Sequence, residues 1–477
     1  MLVNPEIIEK QLSMVVGKEN VLTSPETLEK YSKDQSFVPP TQPFCVVQPK
    51  NVEEIQRILK IANHYKIPVV PYSTGENNQG AAIPTYPGII IDLGKMNRII
   101  FIDDLQRNAM IQPGVTFSQL QDEAKKHGLR VLTPLELPAS ASVLVTYLEM
   151  VPLYAWPKHG TETLLTMRLV LPTGEIMGTG QAALLHEEKP YDPMYGVNCF
   201  LNRIFFAAQG TFGIVYEGVV KLKNLCEANE VVFISLEKVE DGFKIIKELK
   251  FWNLGEEVFM MNNMDLALML ADNPSKDLPE LRNILPKWTL IVVFRGTSEY
   301  VEVQEADLKD LASNLGFKFQ KDLSGVKKAD EKVLAEIDYP KGWRKWSEYK
   351  GARNTIPFIT LIKSVPSYNN EVYKLAESHN YPKEDIGCTL LPAEVFRVHY
   401  QFSFHRNPND SEETEGVKSL YMQTVQKLFG MGAYFSRPYP LWAEIAYSRA
   451  KTYHMYLKKL KQIVDPNNIM NPGKLAF

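Results

Sequence analysis

The feature that most constrains this chain is a loop of small polar residues that directly follows an apolar run. The loop, Pro71–Ala82, has the sequence PYSTGENNQGAA and comes after the strand-like residues 67–71. Because glycine carries no Cβ, such a loop can turn several backbone N–H groups towards one phosphate. It is not a P-loop, since no Lys-Ser/Thr follows the second glycine, and Gly75 and Gly80 are too far apart for the dinucleotide fingerprint. The loop predicts a phosphate-bearing ligand, although a plain surface turn explains it equally well.

Short apolar segments alternate with amphipathic ones along residues 51–222. Residues 51–65 carry apolar side chains at helical spacing, and Thr116 is a good N-terminal cap for a second helix. A Pro-Thr-Gly turn at 172–174 separates two strands. Hairpins as well as crossovers therefore build this region, which predicts an α+β fold. Its expected strands are residues 67–71, 88–93, 99–102, 108–112, 165–171 and 175–178, and its expected helices are 51–65 and 116–127.

A second unit is expected to begin near residues 223–229, where the segments lengthen. The stretch 441–463 is predicted to be one long amphipathic helix that ends before Pro466. No apolar run reaches the length needed to span a bilayer. The strands expected in the second unit are 231–236, 289–294 and 390–405, and its helices are 241–249, 301–315 and 413–429.

Charge and cysteine content exclude several kinds of protein. The chain has 477 residues, of which 53 are basic and 56 acidic, so its net charge of -3 does not point to nucleic acid or to an anionic membrane. The charged N-terminus has no signal-peptide core, which predicts a cytoplasmic protein. No metal site is expected, because the four cysteines form no CxxC pair and lie far apart at Cys45, Cys199, Cys226 and Cys388.

Five motifs occur in a fixed order: YSTGENNQGAAIPTYPGIIIDLGKMNR (72–98), IQPGVTFSQLQDEAKKHGL (111–129), SVLVTYLEMVPLYAWPKHG (142–160), QGTFGIV (209–215) and VDPNNIMNPGK (464–474). Together they resemble the FAD-dependent oxidoreductases of the vanillyl-alcohol-oxidase and p-cresol-methylhydroxylase type. The resemblance implies a two-part FAD-binding domain, residues 1–225 and 431–477, and an α+β cap domain, residues 226–430, that closes over the flavin and holds the substrate. The residues it assigns to FAD are Ser73, Thr74, Gly75, Glu76, Asn77, Asn78, Gln79, Gly80, Ala81, Pro138, Ser142, Gly210, Gly213, Ile214, Val215 and Asn471.

Three departures from that family matter. Loop 73–80 contains no histidine, which excludes a flavin tether through this loop and leaves a covalent link elsewhere open. Glu136 stands near the position where the 4-phenol-oxidising branch carries an acidic residue beside flavin N5. The Tyr-Arg pair of that branch is represented by Tyr434 with a displaced Arg437. These departures put phenol specificity in question.

The segment Arg397–His405 alternates strictly between polar and apolar residues. As a strand it would place every second side chain on one face. That face could supply a base, an anion clamp or a flavin tether, and a solvated sheet face explains the pattern equally well. Its members are Arg397, His399, Gln401, Ser403 and His405.

The resemblance supplies further candidates. Tyr434 and Arg437 could hold a phenolate or a carboxylate, the alternative being a loop tyrosine and a surface arginine. Tyr154 and Lys158 lie in the segment expected to pass the flavin ring, where core packing is an equal alternative. For four further candidates, a structural role in a salt bridge, a loop or a helix end is at least as good an explanation as a functional role: Glu149, His159, His186 and Arg353.

The expected function is hydride transfer from a C–H bond of a small substrate, such as a p-alkylphenol or an aromatic alcohol, to flavin N5. A D-2-hydroxy-acid dehydrogenase stays open, although the Gly-Asp-Gly-Asn segment of those enzymes is missing. A non-catalytic electron-relay subunit also stays open, and a transferase-like or reductase relative is a weaker alternative. Expected partners are a cytochrome or an electron-transfer flavoprotein, in a homo- or hetero-oligomer.

Overall fold

The computed structural model describes residues 5–155, 163–184, 201–393 and 396–477. The chain begins with helices α1 (Pro5–Val16), α2 (Pro25–Ser32) and α3 (Val52–Tyr65) and strands β1 (Val21–Leu22), β2 (Cys45–Val47), β3 (Val69–Tyr72) and β4 (Ile89–Asp92). The strands form a sheet in the order β1-β2-β4-β3, in which the last three run parallel. Strands β2 and β4 are buried throughout, as is typical of parallel strands covered on both faces.

A second sheet follows in the order β5-β6-β10-β8-β9, and all its neighbours are antiparallel. A separate two-stranded ribbon pairs β7 with β11. The Thr116 hydroxyl oxygen accepts a hydrogen bond from the Gln119 backbone N–H and caps α4 as expected. The bounds are β5 (Ile99–Asp103), β6 (Asn108–Ile111), α4 (Phe117–Lys126), β7 (Leu129–Arg130), α5 (Val143–Leu148), β8 (Leu164–Val170), β9 (Ile176–Gly178), β10 (Ile214–Lys221) and β11 (Lys223–Asn224).

The largest sheet is antiparallel and has the order β15-β12-β14-β13-β17-β18-β16. Helices α6, α9, α12 and α13 cover one of its faces, and α7, α8 and α10 cover the other. The bounds are β12 (Ala228–Leu236), α6 (Asp241–Trp252), β13 (Glu257–Asn262), α7 (Asn263–Leu270), α8 (Pro274–Ile284), β14 (Trp288–Gly296), α9 (Ser298–Asn314), β15 (Phe319–Gln320), α10 (Ala329–Asp338), α11 (Trp343–Trp346), β16 (Ala352–Leu361), α12 (Val365–Ser378), β17 (Gly387–Pro392), β18 (Arg397–Arg406) and α13 (Ser411–Gly430).

The C-terminal segment returns to the first sheet. After α14 (Ala443–Ser448) and α15 (Lys451–Val464), the chain runs beside β3. The Val69 N–H donates to the Ile469 carbonyl at 2.7 Å, and the Asn471 N–H donates to the Val69 carbonyl at 2.8 Å. The end of the chain therefore lies next to the loop that follows β3.

The predicted α+β class with a two-part FAD-binding fold is confirmed. Two local predictions were wrong. The stretch 390–405 belongs to two strands, β17 and β18, and the stretch 441–463 is two helices, because Ala450 leaves the helical conformation with φ -118° and ψ 41°. Within the described ranges, no helix is long and apolar enough to cross a bilayer. Cys45, Cys226 and Cys388 are free thiols, and Cys199 lies outside the described residues.

Candidate functional site

A long cleft, here called the main cleft, lies between the loop after β3, helix α5 and the start of β10. It encloses about 1270 Å³ of space, part of which opens to solvent. One end is polar and formed by the loop, and the other is walled by apolar side chains. The polar wall includes Ser73, Thr74, Gly75, Glu76 and Asn77, and the apolar wall includes Val145, Leu148, Val151, Phe205 and Phe212.

Glycines give the polar wall its shape. Gly75 has φ +72°, and a Cβ there would lie 1.8 Å from the Tyr72 hydroxyl oxygen. Gly210, which also lines the cleft, has φ +70°, and its Cβ would lie 2.5 Å from the Pro71 ring. Side chains at these two positions would therefore both strain the backbone and collide with neighbours.

Hydrogen bonds hold the loop in this shape. The Asp34 carboxylate accepts from the Gly80 N–H at 2.7 Å, and the Thr74 hydroxyl oxygen accepts from the Ser142 N–H at 3.0 Å. The Ser73 hydroxyl donates to the Pro113 carbonyl at 2.7 Å. The loop is therefore fixed before any ligand arrives.

The C-terminal segment fastens both sides of the main cleft. The Asn471 side-chain amide donates to the Ala81 carbonyl at 3.1 Å and to the Gln209 carbonyl at 2.7 Å. The Lys474 ammonium donates to the Gly80 carbonyl at 3.0 Å, and burial lowers the pKa of Lys474 to about 8. One buried side chain, Asn471, thus ties the loop after β3 to the turn before β10.

The main cleft fits FAD. Its polar loop can surround a pyrophosphate, and its apolar wall can cover a flat ring system. Two buried oxygens at the cleft, Oε1 of Gln209 and Oε2 of Glu149, have no hydrogen-bond partner among the described residues. Because buried polar atoms are normally paired, these acceptors are consistent with a ligand that donates hydrogen bonds.

A smaller cavity, here called the side pocket, adjoins the main cleft and shares four lining residues with it. The shared residues are Glu76, Asn77, Leu137 and Val151. The side pocket lies between the main cleft and strands β16 and β18. Its other walls include Asn78, Gln79, Leu135, Glu136, Pro152, Trp343, Arg353, Thr355, Pro357, Gln401, Arg437 and Tyr439.

Arg353 is the buried cation of the side pocket. Its Nη2 contacts the carboxylates of Glu136 and Asp265, and its guanidinium lies 4.8 Å from the centre of the Trp346 ring. Nε and Nη1 of Arg353 have no partner among the described residues. Burial raises the pKa of Glu136, although the Arg353 charge opposes that shift.

A second group lies where the side pocket meets the main cleft. The Asn77 amide donates to the Tyr439 hydroxyl oxygen at 3.1 Å, and the Arg437 guanidinium lies 5.7 Å from the Tyr439 ring centre. Glu149 lies beside them, and burial raises its pKa to about 7 while Arg437 and Tyr439 act in the opposite direction. A carboxyl group with this pKa can take up and release a proton near neutral pH.

Comparisons with known proteins agree with this arrangement. Residues 43–180 match the FAD binding domain family, and residues 443–475 match the C-terminal domain family of FAD linked oxidases. The chain is an FAD-linked oxidoreductase.

It is 24% identical to the glycolate oxidase subunit GlcD of Bacillus subtilis, over 98% of this chain and 96% of that protein. It is 25% identical to D-2-hydroxyglutarate dehydrogenase of Stutzerimonas stutzeri, over 99% of both. It is 24% identical to mitochondrial D-lactate dehydrogenase (cytochrome) of Arabidopsis thaliana, over 91% of this chain and 73% of that protein.

Two solved structures share the fold of this oxidoreductase. The substrate complex of p-cresol methylhydroxylase has a TM-score of 0.86 and 19% identity, over 99% of this chain and 96% of that one. The isoeugenol complex of 4-ethylphenol oxidase from Gulosibacter chungangensis has a TM-score of 0.86 and 18% identity, over 98% and 96%. These three relatives are named for hydroxy acids, and these two structures are named for phenols.

Most residues that the sequence assigned to FAD line the main cleft of the oxidoreductase. Asn78 and Gln79 line the side pocket instead. Gly80, Pro138 and Asn471 line neither cavity, and Asn471 and Gly80 act through the hydrogen bonds described above. Those that line the main cleft are Ser73, Thr74, Gly75, Glu76, Asn77, Ala81, Ser142, Gly210, Gly213, Ile214 and Val215.

Several predicted catalytic residues lie elsewhere. Tyr434 is 65% exposed and lines neither cavity, because its backbone pairs with Ile359 and leaves the ring at the surface. Tyr154 is a core residue whose ring packs 5.0 Å from Phe259. Lys158, His159 and His186 lie outside the described residues.

The polar face of β18 is buried, so the alternative of a solvated face was wrong. Gln401 alone of its five members lines the side pocket, where it contacts Glu136. Arg397 is exposed at the start of the strand, and His399 and His405 are buried away from both cavities. Of the other candidates, Arg437 and Arg353 also line the side pocket, and Glu149 lines the main cleft.

The structure gives Arg353 and Tyr439 places in the site that the sequence did not predict. Arg353, expected at a surface helix end, is a buried residue of β16, and Tyr439 was not considered. An arginine inside the apolar alternation of Ala352–Leu361 was the available signal for Arg353. Tyr439 follows Pro438 in a segment without periodicity, so no local pattern marked it.

Proposed function

We propose that this oxidoreductase removes hydride from a C–H bond next to the ring of a small phenolic substrate, such as a p-alkylphenol or an aromatic alcohol. The substrate would bind where the side pocket meets the main cleft, with its phenolic oxygen at Tyr439 and Arg437. When bound, FAD supplies the two-electron acceptor for this reaction. The observation that carries the proposal is the grouping of Tyr439, Arg437 and Glu149 where the two cavities meet.

The walls of the side pocket support a ring-shaped substrate. Five apolar side chains and the Trp343 indole line it. A planar apolar ring buries against such walls, whereas a short hydroxy acid would leave much of their surface uncovered. The apolar wall consists of Leu135, Leu137, Val151, Pro152 and Pro357.

The polar groups support proton removal from a phenol. The Tyr439 oxygen accepts from the Asn77 amide, and the Tyr439 hydroxyl donates to the Glu149 carboxyl group. The positive charge of Arg437 favours the phenolate form. Glu149, as the carboxylate, would take the Tyr439 proton while Tyr439 takes the phenolic proton, so that the Tyr439 hydroxyl then donates to the phenolate. Loss of the phenolic proton in this way, and of hydride from the benzylic carbon para to the oxygen, converts a p-alkylphenol to a quinone methide, a two-electron oxidation.

The test is anaerobic spectroscopy of the purified holoprotein. A p-alkylphenol should bleach the flavin absorbance within seconds, whereas a D-2-hydroxy acid should leave it unchanged. Bleaching by the hydroxy acid alone would contradict the proposal and favour the second candidate. Bleaching by neither would favour an electron-relay subunit, which is reduced only by its partner.

The second candidate is oxidation of a D-2-hydroxy acid. The relatives named as D-lactate and D-2-hydroxyglutarate dehydrogenases favour it. Nε and Nη1 of Arg353 have no partner among the described residues, and either could donate one hydrogen bond to a carboxylate. Against it, Arg353 already contacts two carboxylates, so a third negative charge there would be repelled unless Glu136 is protonated.

We further propose a cytochrome or an electron-transfer flavoprotein as electron acceptor. The name of the Arabidopsis thaliana relative mentions cytochrome. Three further predictions belong to the same proposal. Residues 1–225 and 431–477 bind FAD, and residues 226–430 form the cap. The protein is cytoplasmic, and it assembles into an oligomer.

A further inference from the structure

One side-chain cation lines the main cleft. Lys33 is the only lysine or arginine among the described residues that form its walls, whereas three carboxyl groups lie there, those of Asp34, Glu76 and Glu149. The pyrophosphate of FAD is doubly anionic, and a nearby positive charge stabilises such a group. The cleft therefore offers a single cation to a cofactor that brings further negative charge.

The neighbours of Lys33 fix its place beside the loop after β3. The Tyr31 ring lies 4.6 Å from the ring of Tyr72, at the start of the loop. The Asp34 carboxylate accepts from the N–H of Gly80, near the other end of the loop, at 2.7 Å. Because Lys33 lies between these two contacts in the chain, it belongs to the polar end of the cleft, where the loop can surround a pyrophosphate.

The present partner of Lys33 is easily exchanged. Its ammonium donates to the Glu29 carboxylate at 2.7 Å, and both side chains are more than half exposed. An exposed ion pair of this kind contributes little to stability, because water screens both charges. Lys33 also stands where α2 ends and the backbone becomes extended, so its flexible side chain is not held by the helix on both sides.

We propose that Lys33 binds the pyrophosphate of FAD and leaves Glu29 when it does so. A phosphate that the loop partly encloses is screened less by water than the Glu29 carboxylate, so the new ion pair is the stronger one. Lys474 also lies at the loop, but its ammonium donates to the Gly80 carbonyl at 3.0 Å and does not line the cleft. Lys33 is therefore the side chain that supplies positive charge to the cofactor.

The experiment is titration of the full-length flavin-free protein, produced in riboflavin-starved cells, with FAD and with riboflavin, which lacks phosphate. Lys33→Met should raise the Kd for FAD about three- to tenfold at low salt, and the difference from the wild type should shrink as salt is raised. Riboflavin should bind both proteins equally. Stopped-flow rates of association and dissociation give this Kd even where a covalent link forms afterwards. Unchanged binding of FAD, or an equal loss of FAD and riboflavin, would overturn the proposal.

Matched variants separate a phosphate contact from a structural role. Lys33→Arg should keep tight binding of FAD, because it keeps the charge. Glu29→Gln should bind FAD at least as tightly as the wild type, since it releases Lys33, and a loss equal to that of Lys33→Met would contradict the proposal. The control is Lys126→Met, which removes an exposed lysine that pairs with Glu123 at 2.7 Å outside the cleft and should leave FAD binding unchanged.

Chemical modification gives a second readout. FAD should protect the Lys33 amine, so that acetylation of this residue, measured by mass spectrometry, is slower in the flavin-loaded protein than in the flavin-free protein. Lys126 should react equally in both forms. Equal reaction of Lys33 in the two forms would show that it does not contact the cofactor.

Discussion

At the residue scale, the chemistry depends on side chains that burial has changed. Glu149 has a pKa near 7 because it lies in an apolar wall, and it adjoins Tyr439 and Arg437. Tyr439 rather than Tyr434 occupies the junction of the two cavities. Tyr439, which is buried, and Tyr434, which is exposed, offer a matched pair for experiment.

Replacement of Tyr439 by Phe should lower kcat about 100-fold or more, because a group that passes a proton typically contributes this much. FAD content should stay unchanged, since Tyr439 contacts the loop only through Asn77. The control is Tyr434→Phe, which should keep wild-type turnover. Steady-state kinetics with the substrate that bleaches the flavin measure both, and equal turnover in the two variants would contradict the assignment.

Activity should rise with pH through about 7, because Glu149 must be ionised to accept a proton and its pKa is raised to about 7. The Glu149→Gln variant should lose this dependence together with most of its activity. The folded-state pKa is raised above the unfolded value, so the stability that Glu149 contributes is lost as pH rises through 7. Glu149→Gln should therefore have a higher Tm than the wild type at pH values above 7, and an unchanged Tm would contradict the burial argument.

The Asn471→Ala variant should bind FAD about 5- to 150-fold more weakly. It removes two buried hydrogen bonds, each worth about 0.5–1.5 kcal/mol, that join the loop after β3 to the turn before β10. The ratio of flavin to protein after purification measures this loss. The exposed Asn467, whose amide donates to Asn63, is the matched control, and Asn467→Ala should retain full flavin.

At the scale of elements, the conformation of the loop after β3 depends closely on its glycines. Its glycines allow a positive φ and a close approach of the backbone at the same time. The hydrogen bonds that the Asp34 carboxylate accepts from Gly80 and the Thr74 hydroxyl oxygen accepts from Ser142 then fix the loop without a ligand. The cleft is thus pre-formed, which lowers the entropy lost when a cofactor binds.

The Gly75→Val variant should abolish flavin binding while the chain stays folded. The new Cβ would displace the Tyr72 ring and strain the backbone at φ +72°. Absorbance at the flavin bands and far-ultraviolet circular dichroism measure the two properties. Gly416→Ala, in helix α13 with no atom within 4 Å of the added Cβ, is the control and should keep its flavin. Full flavin occupancy in Gly75→Val would refute the role of the loop.

At the scale of the whole molecule, ion pairs join the large sheet to the FAD-binding part at separate points. Arg353 on β16 reaches Glu136, which precedes α5, and Asp265 on α7. Glu76 in the loop after β3 pairs with Arg344 on α11 at 2.8 Å. The side pocket exists only where these two parts of the chain meet.

The Arg353→Met variant should lower the free energy of unfolding by about 3–5 kcal/mol, because two buried carboxylates lose their cation. Denaturant unfolding of the flavin-loaded protein measures this change. The exposed Arg397, on the neighbouring strand β18, gives the control Arg397→Met, for which a change below about 0.5 kcal/mol is expected. Equal stability of the two variants would show that Arg353 does not hold the parts together.

The sequence by itself determined part of the secondary structure and the position of the loop after β3. Periodicity located helices such as α3, α4, α9 and α13, because a local pattern of apolar side chains reflects which face is buried, but it did not mark strands β13 and β16. The order of five motifs indicated the FAD-binding fold and the returning C-terminal segment. Only the tertiary structure decided the side pocket, since it brings together Glu136, Arg353 and Tyr439 from distant parts of the chain. The burial of Glu149 also arises from long-range contacts, and this burial raises its pKa. No local sequence pattern encodes such contacts.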